Sequence, residues 1–98
     1  MKTDFIDFRF REDLETAVHY LKAVGCTEIY IFGSLSAGQA HSQSDIDIAV
    51  RGLQPEKFFS VYGELMIKLN HRVDLVDLDL QKQFGDSLIS NGNLRRVA

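Results

Sequence analysis

The feature that most constrains this sequence is a loop of small residues, 33–44, placed between two apolar runs. The run before the loop, 29–32, is continuous, whereas the run after it alternates Ile46, Ile48 and Val50 with other residues. Alternation of apolar side chains with a period of two is typical of a strand that buries one face. The segment 29–50 therefore predicts a strand, a loop and a second strand.

Two aspartates, Asp45 and Asp47, interrupt the second apolar run. In a strand their side chains would leave the same face about 6 to 7 Å apart, and like charges that close repel unless a cation lies between them. The sequence has no Lys or Arg between Lys22 and Arg51, so no basic neighbour along the chain can neutralise the pair. Carboxylate oxygens suit Mg²⁺, which completes its coordination shell with water and substrate phosphates. We therefore expect a Mg²⁺ site at Asp45 and Asp47.

The first two loop residues, Gly33 and Ser34, are suited to binding phosphate. Glycine permits a sharp turn and a close approach of phosphate to the main chain. Ser34 adds a hydroxyl and a backbone N–H at the predicted start of a short helix over 35–39, and helix N-termini attract anions. The segment thus predicts a triphosphate held by the loop beside a metal held by the strand.

The spacing of these residues resembles the signature of a known superfamily. Gly33-Ser34, ten further residues and then Asp45-x-Asp47 are similar to the signature of the DNA polymerase beta-like nucleotidyltransferases. The longer pattern Gly-Ser-x-x-x-Gly-x-x-x-x-x-Ser-Asp-Ile-Asp resembles the minimal nucleotidyltransferase (MNT) branch of that superfamily. The resemblance implies a nucleotidyltransferase fold of the α/β (α+β) class, in which helices flank a small mixed β-sheet.

The same resemblance implies further site residues. It adds Gly38 and Ser44 to the nucleotide-binding set, and the pattern Val-Asp-Leu-Val aligns the third carboxylate of the superfamily with Asp74. Asp74 would help to hold the catalytic metal and would take the proton of the attacking hydroxyl. Because successive side chains of a strand point to opposite faces, Asp74 and Asp77 cannot both face the metal. We expect Asp77 to be a strand-end or capping carboxylate.

One departure from the family pattern concerns charge in the loop. Many family members carry Arg-Gly and a further basic residue before the aspartates, whereas this chain has Ala37-Gly38 followed by Gln39 and His41. The loss of charged phosphate contacts would weaken nucleotide binding by a few kcal/mol, on the order of one or two hydrogen bonds to a charged group. His41 could compensate only when protonated, and a plain loop residue is the simpler interpretation.

The function that the resemblance implies is transfer of AMP from ATP to a hydroxyl, with two Mg²⁺ ions. MNT proteins act as antitoxins that adenylylate a tyrosine of a HEPN ribonuclease, so a HEPN-type protein is the expected partner. Two alternatives remain open. One is a binding module that neutralises its partner by complex formation without catalysis. The other is a nucleotidyltransferase acting on a small molecule such as an aminoglycoside.

Size and charge limit the range of acceptors and partners. A chain of 98 residues predicts one domain, 1–98, which leaves no separate domain to grip an acceptor. A net charge of −3 argues against nonspecific nucleic-acid binding. No apolar run reaches membrane-spanning length and no signal peptide is visible, so we expect no membrane association and a cytoplasmic protein. Cys26 has no partner cysteine and is expected to be a buried, unreactive thiol.

The remaining patterns predict the elements around this site. Residues 4–10 alternate in polarity and suggest an extended segment, and helical periodicity follows from Glu12 to a C-capping Gly25. A helix over 55–70 would begin at Pro55. Its broad apolar face either packs on the sheet alone, or its outer margin docks onto another protein. The expected core stripe of that helix is Phe58, Tyr62, Leu65 and Leu69, widened by Phe59 and Met66.

The last third of the sequence predicts a strand and a helix. Residues 72–78 are short and β-branched and indicate a third strand. Residues 79–90 indicate a short helix that packs Phe84, Leu88 and Ile89 inward. Residues 94–98 are expected to form a tail, whose two arginines are either solvated or in contact with a partner or phosphate.

Overall fold

The computed structural model describes residues 6–90 and 94–98. A one-turn 3-10 helix, Pro55–Lys57, precedes the third α-helix. None of the helices in these residues is long and apolar enough to cross a membrane. The elements in chain order are α1 (Phe8–Ala23), β1 (Glu28–Phe32), α2 (Gly33–Ser36), β2 (Ile46–Arg51), α3 (Phe58–Lys68), β3 (Val73–Asp77), α4 (Lys82–Ser90) and β4 (Arg95–Arg96).

The four strands of the described residues form one mixed sheet in the order β3-β2-β1-β4, which confirms the predicted class. β1 runs antiparallel to both β2 and β4, and the loop 33–44 joins β1 to β2. β2 and β3 are parallel, so the chain must cross from one end of the sheet to the other between them, and α3 lies in that crossover. The parallel pair places the starts of β2 and β3 side by side.

The two faces of the sheet are covered unequally. One face packs against α1 and α3 and forms the main core, which includes Leu14, Leu21, Ile29, Ile31, Ile46, Ile48, Leu65 and Leu75. The opposite face carries a small cluster of Phe32, Ala49, Val76 and Leu78, against which Leu88 of α4 packs. Because side chains alternate along a strand, Asp47 and Asp74 belong to this second face. The predicted site therefore lies beside the small cluster and outside the main core.

The prediction of an extended segment near the N-terminus was wrong for part of its range. Residues 8–10 are helical, because α1 begins at Phe8. Asp7 caps this helix, accepting a hydrogen bond from the Arg9 N–H at 3.0 Å. Ile6, which precedes the capping residue, and Phe10, in the first turn of α1, are buried, whereas Phe8 is exposed. Residues 4 and 5 of that prediction lie outside the described residues.

The prediction of a tail at the C-terminus was also incomplete. Arg95 and Arg96 form β4 and pair with Ile31 and Tyr30 at the edge of β1. Val97 is buried, and the main chain of 97–98 exchanges hydrogen bonds with Ile29. A two-residue strand of arginines carries no apolar alternation, so its pairing with β1 decides its conformation.

Two helices bury different side chains from those expected. In α3 the buried residues are Val61 and Leu65, while Phe58 and Tyr62 pack partly and Leu69 follows the helix. Phe59 and Met66 were expected to widen the core stripe, but both are exposed. In α4, Ile89 is exposed, and Phe84 lies at the surface with its ring edge against Phe32 at 5.7 Å between centroids. Leu88 packs inward as predicted.

Candidate active site

Asp47 and Asp74 are register partners across β2 and β3. Both side chains leave the same face of the sheet, and Asp45 precedes β2 by one residue. Asp47 is half-buried, whereas Asp45 and Asp74 are exposed. Burial, followed by the charges of Asp74 and Asp45, raises the pKa of Asp47 to about 6. The structure thus brings Asp45 and Asp74 close enough to Asp47 for their charges to raise the pKa of Asp47, which is the most buried of the three.

Gly33, at the start of the loop, lies directly beside Asp47. Its φ is +69°, and a β-carbon at this position would collide with Oδ2 of Asp47. Any other residue at this position would strain the backbone, because φ is positive, and would displace the Asp47 carboxylate, because its β-carbon would collide with it. Ser34 follows within the first turn of α2 and is partly exposed. The fold brings Gly33, one of the predicted phosphate-binding residues, next to the predicted metal-binding carboxylate Asp47.

The other two predicted nucleotide-binding residues lie further along the loop. Gly38 is exposed and has a φ of +72°, with open space around it. Ser44 is buried, and its hydroxyl accepts a hydrogen bond from the His41 N–H at 2.8 Å, while its own N–H donates to the His41 carbonyl at 2.9 Å. Ser44 and His41 therefore close the loop on itself before Asp45. Nucleotide contacts from Gly38 and Ser44 stay predictions.

A cation that sequence order did not reveal approaches the carboxylates from the start of β3. Arg72 Nε lies 3.8 Å from Asp45 Oδ1, although the two residues are far apart in the sequence. The two residues also line a polar cleft of about 350 Å³, together with Ser42, Gln43, Ser44, Asn70 and His71. No basic residue lies near Asp45 in the sequence, as expected. In the folded chain, however, the parallel pairing of β2 and β3 brings Arg72 next to Asp45.

The loop that carries Arg72 is anchored by a buried carboxylate, Asp13 of α1. Asp13 accepts hydrogen bonds from the backbone N–H groups of Asn70, at 2.9 Å, and His71, at 2.8 Å. Its Oδ2 also lies 2.7 Å from His71 Nδ1, and the His71 ring packs on Phe10 with centroids 4.4 Å apart. Burial raises the pKa of Asp13, but the hydrogen bonds from Asn70 and His71 outweigh burial and lower it. This anchor could not be predicted from local patterns, because α1 lies far from position 70 in the chain.

Tyr62 of α3 contacts the third carboxylate. Its hydroxyl lies 3.1 Å from Asp74 Oδ1 and 3.2 Å from the Val73 carbonyl, to either of which it can donate. Burial, the hydrogen bond to Asp74 and the charge of Asp74 raise the pKa of Tyr62. The sequence pattern placed Tyr62 in the core stripe, since helical spacing does not show that one end of a tyrosine reaches a strand.

Asp77 lies apart from this site, as expected. It is buried at the end of β3, and its Oδ1 accepts a hydrogen bond from the Asp79 N–H at 2.9 Å.

Cys26 is also buried, and burial, followed by the charge of Asp77, raises the pKa of its thiol to about 11. The thiol is therefore protonated and unreactive at neutral pH.

The donor set at the site suits a hard cation such as Mg²⁺. In 6–90 and 94–98, no group of three His, Cys, Asp or Glu side chains could hold an ion by itself. Mg²⁺ does not require such a group, because it keeps several waters and takes oxygens from substrate phosphates. The raised pKa of Asp47 reflects uncompensated negative charge at this point, in addition to burial. Oxygen ligands, excess negative charge and the close approach of Gly33 to Asp47 all fit Mg²⁺ bound together with a phosphate.

Comparison with known proteins identifies the family. The family model described as polymerase beta, nucleotidyltransferase, matches residues 12–94, which run from within α1 to beyond α4. The fold and the carboxylate site define a nucleotidyltransferase domain, and this chain belongs to the polymerase beta nucleotidyltransferase family. A search of curated proteins gave no match.

Solved structures of toxin-antitoxin complexes contain similar chains. A toxin-antitoxin structure with AMP-PNP matches with a TM-score of 0.69 and 28% identity, over 84% of this chain and 69% of the other. A mutant of the toxin-antitoxin MntA-HpeT matches with a TM-score of 0.69 and 27% identity, over 87% of this chain and 71% of the other. The tri-AMPylated Shewanella oneidensis HEPN toxin in complex with MNT antitoxin matches with a TM-score of 0.53 and 30% identity, over 70% of this chain and 56% of the other.

Proposed function

We propose that this chain is a Mg²⁺-dependent nucleotidyltransferase that transfers AMP from ATP to a tyrosine hydroxyl of a HEPN-type partner, and so acts as an antitoxin. The observation that carries the proposal is the close approach of Gly33 to the carboxylate of Asp47, beside its register partner Asp74. A phosphate loop and a metal-binding carboxylate side by side are what nucleotidyl transfer needs. The similar chains in complexes of HEPN toxin and MNT antitoxin support the choice of partner.

In the proposed reaction the acceptor oxygen forms a bond to the α-phosphorus of ATP. The bond from that phosphorus to the bridging oxygen breaks, pyrophosphate leaves, and the acceptor proton passes to a base. Asp45 and Asp47, with Asp74, would hold Mg²⁺, which when bound would offset charge on the phosphates and acidify the attacking hydroxyl. Asp74 is exposed and is the base that we propose. Gly33 and Ser34 would bind the phosphate chain through the backbone and the hydroxyl.

The direct test uses the purified chain, a HEPN-type partner, labelled ATP and Mg²⁺. We expect label on the partner, with an added mass of one or more AMP groups located on tyrosine. Asp45→Asn and Asp47→Asn should abolish transfer without preventing complex formation. Asp86→Asn, in an exposed position on α4, is the matched control and should transfer normally. A tight complex in which no label moves would exclude the enzymatic proposal.

A second candidate, stoichiometric neutralisation of the partner, is favoured by one feature of α3. Phe59, Met66 and Ile67 share a face of this helix turned away from the core and are 84%, 62% and 79% exposed; we call them the α3 surface. A double variant, Phe59→Ser with Met66→Ser, should weaken partner capture if this surface docks the partner. Phe8→Ser removes an exposed phenylalanine of α1 and is the control. Capture that depends on the α3 surface, without AMP transfer, would support the second candidate.

A third candidate is transfer to a small molecule such as an aminoglycoside. It predicts turnover by the chain alone, with labelled ATP, Mg²⁺ and the small molecule. We rank it below the other two because the similar solved chains occur in toxin-antitoxin complexes. Turnover without a protein partner would reverse that order.

A further inference from the structure

Arg72 lies beside the three carboxylates because of the strand register. Ile46 pairs with Val73 and Asp47 with Asp74, so the residues just before the two strands, Asp45 and Arg72, are also neighbours. Arg72 precedes Asp74 by two positions, and in an extended chain such side chains leave the same face about 6 to 7 Å apart. Arg72 is therefore on the site face, at the entrance to the carboxylates.

The backbone of Arg72 is fixed from two directions. Its carbonyl accepts a hydrogen bond from the Ile46 N–H at 2.8 Å, which ties it to β2. The two preceding residues, Asn70 and His71, are held by the buried carboxylate of Asp13. The base of the side chain thus has a defined position, although it lies in a loop.

The guanidinium of Arg72, by contrast, can exchange partners. Its side chain is 89% exposed, and its contact with Asp45 is an ion pair at 3.8 Å, longer than a hydrogen bond. Exposed ion pairs of this kind contribute little to stability, so another anion can replace Asp45 at low energetic cost. Arg72 also borders a second cleft, of about 390 Å³, formed with Tyr62, Met66 and Leu69 among others.

The site needs a cation that its phosphate loop does not supply. Residues 33–44 contain no Lys or Arg, and three carboxylates oppose the approach of a triphosphate. We propose that Arg72 is the phosphate-binding cation of this site: it pairs with Asp45 in the free protein and contacts the phosphate chain of the bound nucleoside triphosphate. This inference rests on the proposed nucleotidyltransferase function. It means that Arg72, just before β3, supplies the positive charge that the loop 33–44 lacks. The planar fork of arginine matches two phosphate oxygens at once.

The test is nucleotide binding, measured by calorimetry with the full chain, AMP-PNP and Mg²⁺, in the absence of any acceptor. Arg72→Gln should weaken AMP-PNP binding at least about tenfold, the loss expected for one charge-assisted contact. Arg72→Lys should recover part of that loss, because it restores the charge without the fork. Arg51→Gln is the matched control, since Arg51 also forms an ion pair with an aspartate, Asp79 at 3.5 Å, but at the other end of β2. It should bind AMP-PNP like the wild type.

The outcomes separate this inference from the proposed function. If the wild-type chain binds AMP-PNP and Arg72→Gln binds it equally well, the assignment of Arg72 is wrong while the nucleotidyltransferase proposal stands. If Arg72→Gln binds AMP-PNP normally but raises the KM for the protein acceptor in the AMP-transfer assay, Arg72 contacts the acceptor and the inference is also overturned. If the wild-type chain does not bind AMP-PNP with Mg²⁺, both proposals fail. Circular dichroism of each variant would show that the fold is retained.

Discussion

Asp47 and Asp74 lie opposite each other in the register of β2 and β3, on one face of the sheet, although α3 separates them in the sequence. This parallel pairing concentrates negative charge where the chain itself supplies little compensation. Burial and the neighbouring carboxylates raise the pKa of Asp47 to about 6. The folded chain therefore holds an ionised Asp47 at an energetic cost when no cation is bound.

Asp47→Asn should stabilise the chain at neutral pH in the absence of metal. A carboxyl whose pKa is raised on folding contributes stability at low pH that is lost as the pH rises through the folded value, here about 6. We expect a gain of about 1 kcal/mol in the free energy of unfolding for Asp47→Asn at about pH 7.5, after allowing for solvent screening. Urea unfolding at this pH and at about pH 4 measures it, and the gain should shrink at the lower pH. A neutral-pH loss of stability would contradict the charge argument.

Gly33→Ala should remove function and reduce stability together. The added methyl group would collide with Asp47 Oδ2, and the positive φ adds strain of about 1 kcal/mol. Gly25→Ala is the control, because Gly25 also has a positive φ but has open space around it. Both variants should lose stability in thermal unfolding, whereas only Gly33→Ala should lose AMP-PNP binding with Mg²⁺. Equal binding by the two variants would show that Gly33 serves the backbone alone.

Asp13→Ala should destabilise the chain by about 3 kcal/mol, because it removes a buried carboxylate and leaves its donors unpaired. The pKa of Asp13 is lowered on folding, so its contribution is present above the ordinary value of 3.8 and is lost as the pH falls through the folded value. The difference between variant and wild type in urea unfolding should therefore narrow in acid. Glu15→Ala, at an exposed position of the same helix, should change stability little.

Tyr62→Phe should slow AMP transfer while leaving AMP-PNP affinity unchanged. The variant keeps the ring, which packs edge-on against Phe58, but loses the hydroxyl that lies 3.1 Å from Asp74 Oδ1. An Asp74 without this contact is less well oriented, and we expect kcat to fall about three- to tenfold, as for a partly exposed hydrogen bond to a charge. Tyr20→Phe, on α1, is the control. Loss of nucleotide affinity instead of kcat would assign Tyr62 to substrate binding.

The parts of the fold that the sequence predicted are those with strong local patterns. The alternation of Ile46, Ile48 and Val50 indicated β2 and its faces, and the helical spacing of Leu14, Val18 and Leu21 indicated α1. The alternation at 6–10 was misleading, because Asp7 caps a helix that begins at Phe8, so the extended pattern does not continue through 8–10. The α3 surface was also predicted incorrectly: Phe59 and Met66 were expected in the core and are exposed. Helical spacing alone does not show whether an apolar residue at the edge of a buried helix face is covered.

The parts that could not be predicted depend on long-range pairing. β4 forms by pairing with the free edge of β1. Asp13 of α1 anchors the loop at Asn70 and His71, which is distant in the sequence. Arg72 reaches Asp45 only through the parallel register of β2 and β3. The approach of Gly33 to Asp47 could be predicted because β1, the loop and β2 are consecutive in the chain. Asp74 required the family resemblance, since nothing local distinguishes it from other strand carboxylates.

The alternation of side chains along β2 restricts how this chain can change in length. Deleting or inserting one residue between 46 and 50 would turn part of the strand over, moving apolar side chains outward and a carboxylate into the main core. The stretch 37–43 has no such restriction, because its side chains lie outside both clusters apart from the partly packed Ala40. Insertion of one residue within 37–43 should therefore leave the fold intact, whereas insertion of one residue between Asp45 and Val50 should disrupt it.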